Sequence, residues 1–175
     1  MTGADMWTVT TTTSSAEATR QVAEALARLS RPGDLVLLVG GLGAGKTTFA
    51  QGFGRGLGVA GPVTSPTFTL VRQYDVADGP GGIRTLLHAD VYRLDHLAEI
   101  ADLGLGQVVE DGGVALVEWG DAAEPVLGDG ALALSLAVDP GDDDSRRITV
   151  TAEGPAWAGR WDRLAESLRP WRVAA

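Results

Sequence analysis

Apolar and polar positions at the start of the chain predict a strand followed by an amphipathic helix. The β-branched segment TVTTTTSS at 8–15 favours a strand. Ser14 and Glu17 have the spacing of a capping box at the start of the helix, and Pro32 with Gly33 would end it. The helix itself is predicted from apolar residues that recur on one face, namely Val22, Ala25, Leu26 and Leu29.

The next pair of elements is a buried strand and a second helix. The continuous apolar run LVLLV at 35–39 is typical of a strand covered on both faces of a parallel sheet. Phe49, Phe53 and Leu57 then line one side of a helix. Glycines interrupt this helix, and each costs about 1 kcal/mol relative to alanine, so we expect its far end to be weak. These glycines are Gly52, Gly54 and Gly56.

Apolar runs in the second half of the chain predict a hairpin, further strands and a terminal helix. FTLVRQY at 68–74 and IRTLLHAD at 83–90 form the hairpin across a Gly/Pro turn. The later elements are a short helix at 94–103, strands at 115–119, 131–138 and 146–152, and a C-terminal helix at about 156–169 with a tail at 170–175. Because composition shows no break, we expect residues 1–175 to form a single α/β domain with some antiparallel pairing.

Composition and charge narrow the function classes. With 45% apolar and 21% charged residues, the chain has the composition of a folded domain. Its net charge of −9 disfavours nonspecific binding to nucleic acid or an anionic membrane. It has no cysteine and two histidines, which disfavours a zinc site. The start lacks a secretory signal and no apolar run reaches about 20 residues, so we expect a cytoplasmic location and no membrane partner.

The segment GGLGAGKT at 40–47 matches the phosphate-binding loop G-x-x-x-x-G-K-[ST] between a predicted strand and helix. Backbone N–H groups and the helix N-terminus would face the phosphates, Lys46 would reach the β- and γ-phosphates, and the Thr47 hydroxyl would bind Mg²⁺. Lys46 is also the only lysine in the chain. The predicted phosphate-binding residues are Gly40, Gly41, Leu42, Gly43, Ala44, Gly45, Lys46, Thr47 and Thr48.

Two carboxylates end predicted strands where a parallel sheet places its ligand crevice. They are Asp90 and Glu118. Glu118 is predicted to bind Mg²⁺ or to orient the attacking water, and the alternative for both residues is a solvated strand end or an ion pair. We predict that Lys46, Asp90 and Glu118 form the catalytic set, with Thr47, Glu118 and Asp90 around the metal.

The residues around this loop favour ATP over GTP. The guanine signature Asn-Lys-x-Asp is absent, because the chain has no asparagine and its one lysine lies in the loop. Ser65 and Thr67, in the segment VTSPT, are candidates for a switch that senses the γ-phosphate. A Pro-containing strand entry is an equally good reading of that segment. His88 is interpreted as a hydrogen-bonding residue within a strand rather than as a catalyst.

Four motifs, in this order, resemble the TsaE family: GGLGAGKTTFAQGFGRGLG, VTSPTFTLVRQY, HADVYRL and ALVEWGD. The resemblance spans about residues 12 to 152. Members of this family are small bacterial ATPases that act with TsaD, TsaB and TsaC-type partners. The modification they support is threonylcarbamoyladenosine in tRNAs that read codons beginning with A.

The resemblance implies a P-loop nucleotide-binding fold, with a mostly parallel central sheet, added antiparallel strands and helices on both faces. It implies that the loop binds ATP phosphates, that Thr47 and Glu118 hold Mg²⁺ and that Asp90 supports the same site. Trp119 matches the family's Glu-Trp pair and is a further switch candidate. The implied role is ATP hydrolysis on a TsaD–TsaB assembly, with tRNA contacted only indirectly.

The chain departs from the family at Gly41, where the family usually carries Asp, and we expect this to affect only a local polar contact. Adenine contacts are weakly indicated, with Thr19 and Arg146 as candidates.

Two other functions stay open. A small-molecule P-loop kinase would share the loop, although the arginines form no clustered lid segment. A nucleotide-dependent adaptor with little turnover would resemble a partner-stimulated ATPase.

We predict that Lys46→Ala abolishes nucleotide binding, because no other lysine can replace its charge at the phosphates. Isothermal titration of the variant with ATP measures this directly. Binding at wild-type affinity would remove Lys46 from the site.

Overall fold

The computed structural model describes residues 5–66, 70–92, 94, 97–119 and 130–174. Its strands form a single sheet in the spatial order β1-β7-β6-β2-β5-β4-β3. The strands are β1 (Met6–Thr13), β2 (Leu35–Val39), β3 (Val71–Asp75), β4 (Thr85–Asp90), β5 (Val114–Glu118), β6 (Leu132–Asp139) and β7 (Asp142–Glu153). The predicted strand at 35–39 is confirmed at both ends.

Parallel pairing is confined to the four central strands. β6, β2, β5 and β4 run parallel, whereas β1, β7 and β3 are antiparallel additions at the two edges. The expected α/β fold with a parallel centre and added antiparallel strands is therefore confirmed, with as many antiparallel as parallel pairings. The hairpin is also confirmed, because β3 and β4 pair from Val71 opposite Ala89 to Asp75 opposite Thr85.

Helices cover both faces of this sheet, as expected. They are α1 (Ala16–Arg28), α2 (Lys46–Leu57), α3 (Leu97–Ala101), α4 (Leu105–Glu110), α5 (Pro155–Ala158) and α6 (Trp161–Ser167), with 3₁₀ turns at Pro80–Gly82 and Arg169–Trp171. Side chains alternate along a strand. Val36 and Leu38 therefore pack with α1, α2, α5 and α6, and Leu35 and Leu37 pack with α3 and α4. No helix in the described ranges is long and apolar enough to cross a membrane.

The predicted start of α1 is wrong by one residue. Ser15, not Ser14, caps α1: its backbone is extended and its hydroxyl accepts the Ala18 N–H at 3.0 Å. The cap lies one residue later because β1 pairing continues to Thr13. Glu17 instead forms ion pairs with the guanidinium groups of Arg20, which is half-buried, and of Arg55, which is exposed.

The predicted C-terminal helix at 156–169 is divided into α5, α6 and a 3₁₀ turn. Arg160 lies at the break, with φ −135°. Its buried guanidinium lies 3.7 Å from the centre of the Trp157 ring and donates to Asp34 Oδ2 at 2.8 Å. This ion pair joins the break to Asp34, the residue that precedes β2.

Glycines in α2 allow it to approach α1 closely. A Cβ at Gly56 would lie 2.7 Å from the Glu24 carbonyl oxygen, and one at Gly52 would collide with the Arg20 carbonyl oxygen. The helix continues to Leu57, and Gly58 ends it in a left-handed conformation. These glycines lower the helix propensity of α2, but they also allow close packing on α1. The pattern of apolar residues did not indicate this packing.

Gly52→Ala is expected to lower the free energy of unfolding by about 1–3 kcal/mol, because the added methyl group forces α1 and α2 apart. Gly106→Ala is the matched control, since Gly106 is an exposed helical glycine whose added Cβ meets no described atom within 4 Å. That variant should be neutral or more stable by up to about 1 kcal/mol. Urea unfolding of both proteins compares them, and equal effects would contradict the packing role of Gly52.

Candidate functional site

The loop between β2 and α2 has the backbone that a phosphate-binding motif requires. Gly43 and Gly45 have φ +76° and +103°, in the left-handed region that favours glycine. At Gly40 an added Cβ would lie 2.6 Å from the Leu136 carbonyl oxygen of β6. A Cβ at Gly41 would meet no described atom within 4 Å, so this position has room for a side chain.

A cavity of about 560 Å³ lies beside this loop, within the size range of small-molecule sites. Residues from the loop, from the ends of β4 and β5, and from β7 share it, which brings most of the predicted site together. They are Leu42, Gly43, Ala44, Gly45, Lys46, Thr47, Thr48, Ser65, Asp90, Tyr92, Glu118, Trp119 and Arg146. Thr67 lies outside the described residues.

Lys46 is buried at the start of α2 and turns back toward its own loop. Its Nζ donates to the carbonyl oxygens of Gly40 and Gly41, both at 2.8 Å, and lies 4.0 Å from the centre of the Trp119 ring. Burial lowers the pKa of Lys46 below its ordinary value, whereas the nearby carboxylates of Glu118 and Asp90 act in the opposite direction. The two predicted carboxylates and the lysine therefore belong to one electrostatic group.

Strand register places Glu118 and Asp90 side by side. Glu118 is opposite Leu38 of β2 on one side and opposite Asp90 of β4 on the other. Glu118 is 2% exposed, and its Oε1 accepts the Thr47 hydroxyl at 3.2 Å. The Asp90 carboxylate accepts the Tyr92 N–H at 3.0 Å. The two carboxylates and the hydroxyl are hard oxygen donors, the kind of ligand that Mg²⁺ prefers.

No group of three or more His, Asp or Glu side chains within the described ranges has the geometry to hold a metal ion. Mg²⁺ is usually bound by one or two carboxylates together with substrate phosphates and water. The residues present therefore fit Mg²⁺ that arrives with a phosphate ligand, and they do not form a metal site by themselves.

Trp119 follows β5 with an uncommon backbone conformation. Its φ is +63°, which is rare for a bulky residue. The ring lies against Tyr92, with ring centres 4.7 Å apart, and covers the Lys46 ammonium group. Trp119 is a switch candidate from its sequence, whereas Tyr92 was missed. The signal for Tyr92 is its position two residues after Asp90.

The two weakly indicated adenine candidates occupy different environments. The Arg146 guanidinium donates to the Gly43 carbonyl oxygen of the loop at 3.3 Å. The Thr19 side chain is buried, and its hydroxyl lies 2.7 Å from that of Thr13. A smaller cavity of about 90 Å³, lined also by Gly45 and Thr48, brings Thr19 and Arg146 together beside the phosphate loop.

His88, interpreted from the sequence as a hydrogen-bonding residue of a strand, has a specific partner in the structure. Its Nε2 lies 3.1 Å from Oε2 of Glu118. Its spacing of two residues from Asp90 places both on the same face of β4, which was the available signal.

Comparison with known proteins gives one consistent result. Residues 13–148 match the family model described as "Threonylcarbamoyl adenosine biosynthesis protein TsaE". A relative from Bacillus subtilis, named tRNA threonylcarbamoyladenosine biosynthesis protein TsaE, is 41% identical over 152 residues, covering 87% of this chain and 88% of the relative. A relative of the same name from Streptomyces coelicolor is 46% identical over 143 residues, covering 79% of this chain and 93% of the relative.

A solved structure agrees with these sequence matches. The crystal structure of Bacillus subtilis YdiB superposes with a TM-score of 0.71 at 36% sequence identity. The match covers 95% of this chain and 97% of the YdiB chain.

Proposed function

The chain belongs to the TsaE family of tRNA threonylcarbamoyladenosine biosynthesis proteins, and from this premise we propose that it binds and hydrolyses ATP in the presence of Mg²⁺. We propose further that it does so with TsaD and TsaB, during formation of threonylcarbamoyladenosine in tRNAs that read codons beginning with A. The observation that carries this proposal is the junction of three features in one cavity: the phosphate loop, the Thr47–Glu118 hydrogen bond and Asp90.

The phosphate loop supports nucleotide binding through its backbone. Gly40 to Thr48 surround the N-terminus of α2, where unpaired N–H groups and the helix dipole favour an anion. Lys46 is already within the cavity and would exchange its loop carbonyl contacts for the β- and γ-phosphates. The 12-residue α2 gives this helix terminus a full set of aligned peptide dipoles.

Three residues would hold Mg²⁺ with the nucleotide: the Thr47 hydroxyl and the Glu118 and Asp90 carboxylates. When bound, the metal neutralises charge on the phosphate oxygens and helps to orient the nucleotide. Glu118 and Asp90 would in addition orient the attacking water from the carboxyl ends of β5 and β4, and Lys46 would stabilise charge on the phosphates.

Base recognition is proposed for the side of the loop where Thr19 and Arg146 lie. Arg146 is fixed against the Gly43 carbonyl group and borders both the main cavity and the smaller one. Thr19 pairs its hydroxyl with that of Thr13, so contact with adenine would come from its methyl group, its backbone or the remaining hydrogen-bonding capacity of the hydroxyl. ATP is preferred to GTP because the chain lacks the guanine signature.

Partner binding is proposed to act through the segments that border the cavity. Ser65, Thr67 and Trp119 are the switch candidates, of which Ser65 and Trp119 line the cavity. A net charge of −9 supports docking on a protein partner rather than on tRNA itself, so tRNA contact would be indirect.

ATP hydrolysis by the purified protein, alone and with TsaD and TsaB from the same organism, tests the function. We expect slow Mg²⁺-dependent hydrolysis alone, strong stimulation by the partners and preference for ATP over GTP. Unchanged hydrolysis with no association would contradict the TsaD–TsaB proposal and direct attention to a kinase with an acceptor substrate. Association without hydrolysis would indicate an adaptor.

Glu118→Ala should keep ATP binding and lose Mg²⁺-dependent hydrolysis by roughly 10²-fold or more, because a carboxylate at the reacting phosphates is removed. Glu110→Ala is the control, since Glu110 is an exposed carboxylate at the end of α4. Steady-state hydrolysis and ATP titration separate the two effects. Full activity of Glu118→Ala would remove Glu118 from the site.

A further inference from the structure

We propose that His88 is a positioning residue that holds the Glu118 carboxylate in the orientation that faces Thr47. This inference rests on the proposed function, in which Glu118 and Thr47 hold Mg²⁺ with ATP. It concerns a residue that lies behind the carboxylate, within the sheet, and does not itself line the cavity.

Each oxygen of the Glu118 carboxylate has its own hydrogen-bonding partner. Oε1 accepts the Thr47 hydroxyl at 3.2 Å, and Oε2 lies 3.1 Å from His88 Nε2. His88 is fully buried and Glu118 is 2% exposed, so water does not compete for the second contact. The carboxylate is therefore fixed in rotation about its last bond, with one oxygen directed to the cavity side.

The tautomer of His88 follows from its surroundings. An ionised carboxylate only accepts hydrogen bonds, so Nε2 must carry the proton in this contact. The other ring nitrogen, Nδ1, is buried and has no hydrogen-bond partner among the described residues. The contact with Glu118 is therefore the hydrogen bond that the His88 ring makes among the described residues.

The position of His88 in the sheet supports a specific role for its polarity. Its neighbours along β4, Leu87 and Ala89, are buried and apolar, and its register partner on β5 is Leu116. An apolar residue at 88 would avoid burying an unpaired ring nitrogen. The contact with Glu118 is the interaction that explains a histidine here, since polar partners of metal-binding carboxylates orient those carboxylates.

Three variants separate positioning from packing. Gln has an amide nitrogen at about the reach of His Nε2, so His88→Gln keeps a donor to Glu118, whereas His88→Leu keeps bulk and loses the donor. Leu116→Ala is the control for a destabilised sheet, because Leu116 is buried beside His88 and has no polar group. Thermal unfolding of each protein establishes that it is folded at the assay temperature.

The readouts are ATP affinity by calorimetry with Mg²⁺ and with EDTA, the Mg²⁺ concentration that gives half-maximal hydrolysis, and kcat measured separately from KM. We expect His88→Leu to bind ATP in EDTA within about twofold of wild type. We expect it to require roughly 10- to 100-fold more Mg²⁺, or to lose kcat by a similar factor. His88→Gln should recover most of this loss, and Leu116→Ala should lower the unfolding temperature with a wild-type Mg²⁺ requirement.

Wild-type Mg²⁺ dependence and kcat in His88→Leu would overturn the inference while leaving the proposed function intact. A His88→Gln protein as impaired as His88→Leu, or a Leu116→Ala protein with the same Mg²⁺ defect, would also overturn it. If the wild-type protein itself binds ATP without any effect of Mg²⁺, the proposed metal role fails and the inference fails with it.

Discussion

The parallel register of β2, β5 and β4 is the constraint on which the cavity depends. It places Leu38 opposite Glu118 and Glu118 opposite Asp90, so that the strand leading into the phosphate loop ends beside both carboxylates. A slip of one residue in β5 would direct Glu118 to the opposite face of the sheet. The apolar residues that alternate between the two faces, such as Leu116 and Val117, make such a slip costly, because each would then face the wrong helical layer.

The buried Glu118 carboxylate interacts with a small group of nearby side chains. Glu118 lies in the sheet with a hydroxyl and an imidazole as hydrogen-bonding partners, and Lys46 contributes an opposite charge nearby. Lys46 in turn is bound to the carbonyl groups of its own loop and covered by Trp119. The loop conformation, the lysine and the aromatic ring are thus mutually dependent, and a ligand that attracts the lysine would alter all three.

The sequence was sufficient for the central strands and for most of the residues that line the cavity, with Tyr92 as the exception. A short apolar run before a glycine loop is a strong local signal, which is why β2 was predicted at both ends and a helix was expected directly after the loop. Asp90 and Glu118 were found because strand ends in parallel sheets share one edge. The roles of these residues stay predictions.

Features that depend on tertiary contacts were not predictable from local patterns. Glycines in α2 signalled weakness in the sequence but allow close packing on α1. Arg160, at the break between α5 and α6, pairs with Asp34, more than a hundred residues away, and the periodic stripe of apolar residues continues across the break. Helix α4 was missed, since it has six residues and one is glycine. The partner of His88 required knowledge of which strand lies beside β4.

The Asp34–Arg160 pair links the main sheet to a segment beyond the part matched by the family model, which ends at residue 148. Loss of one member of a buried ion pair typically costs about 3–5 kcal/mol, whereas replacement of both by apolar residues is often tolerated. Descendants of this chain can therefore change these two positions together far more readily than singly. Related proteins in which residues 34 and 160 change together would then be those whose C-terminal helices are attached to the sheet through this pair of positions.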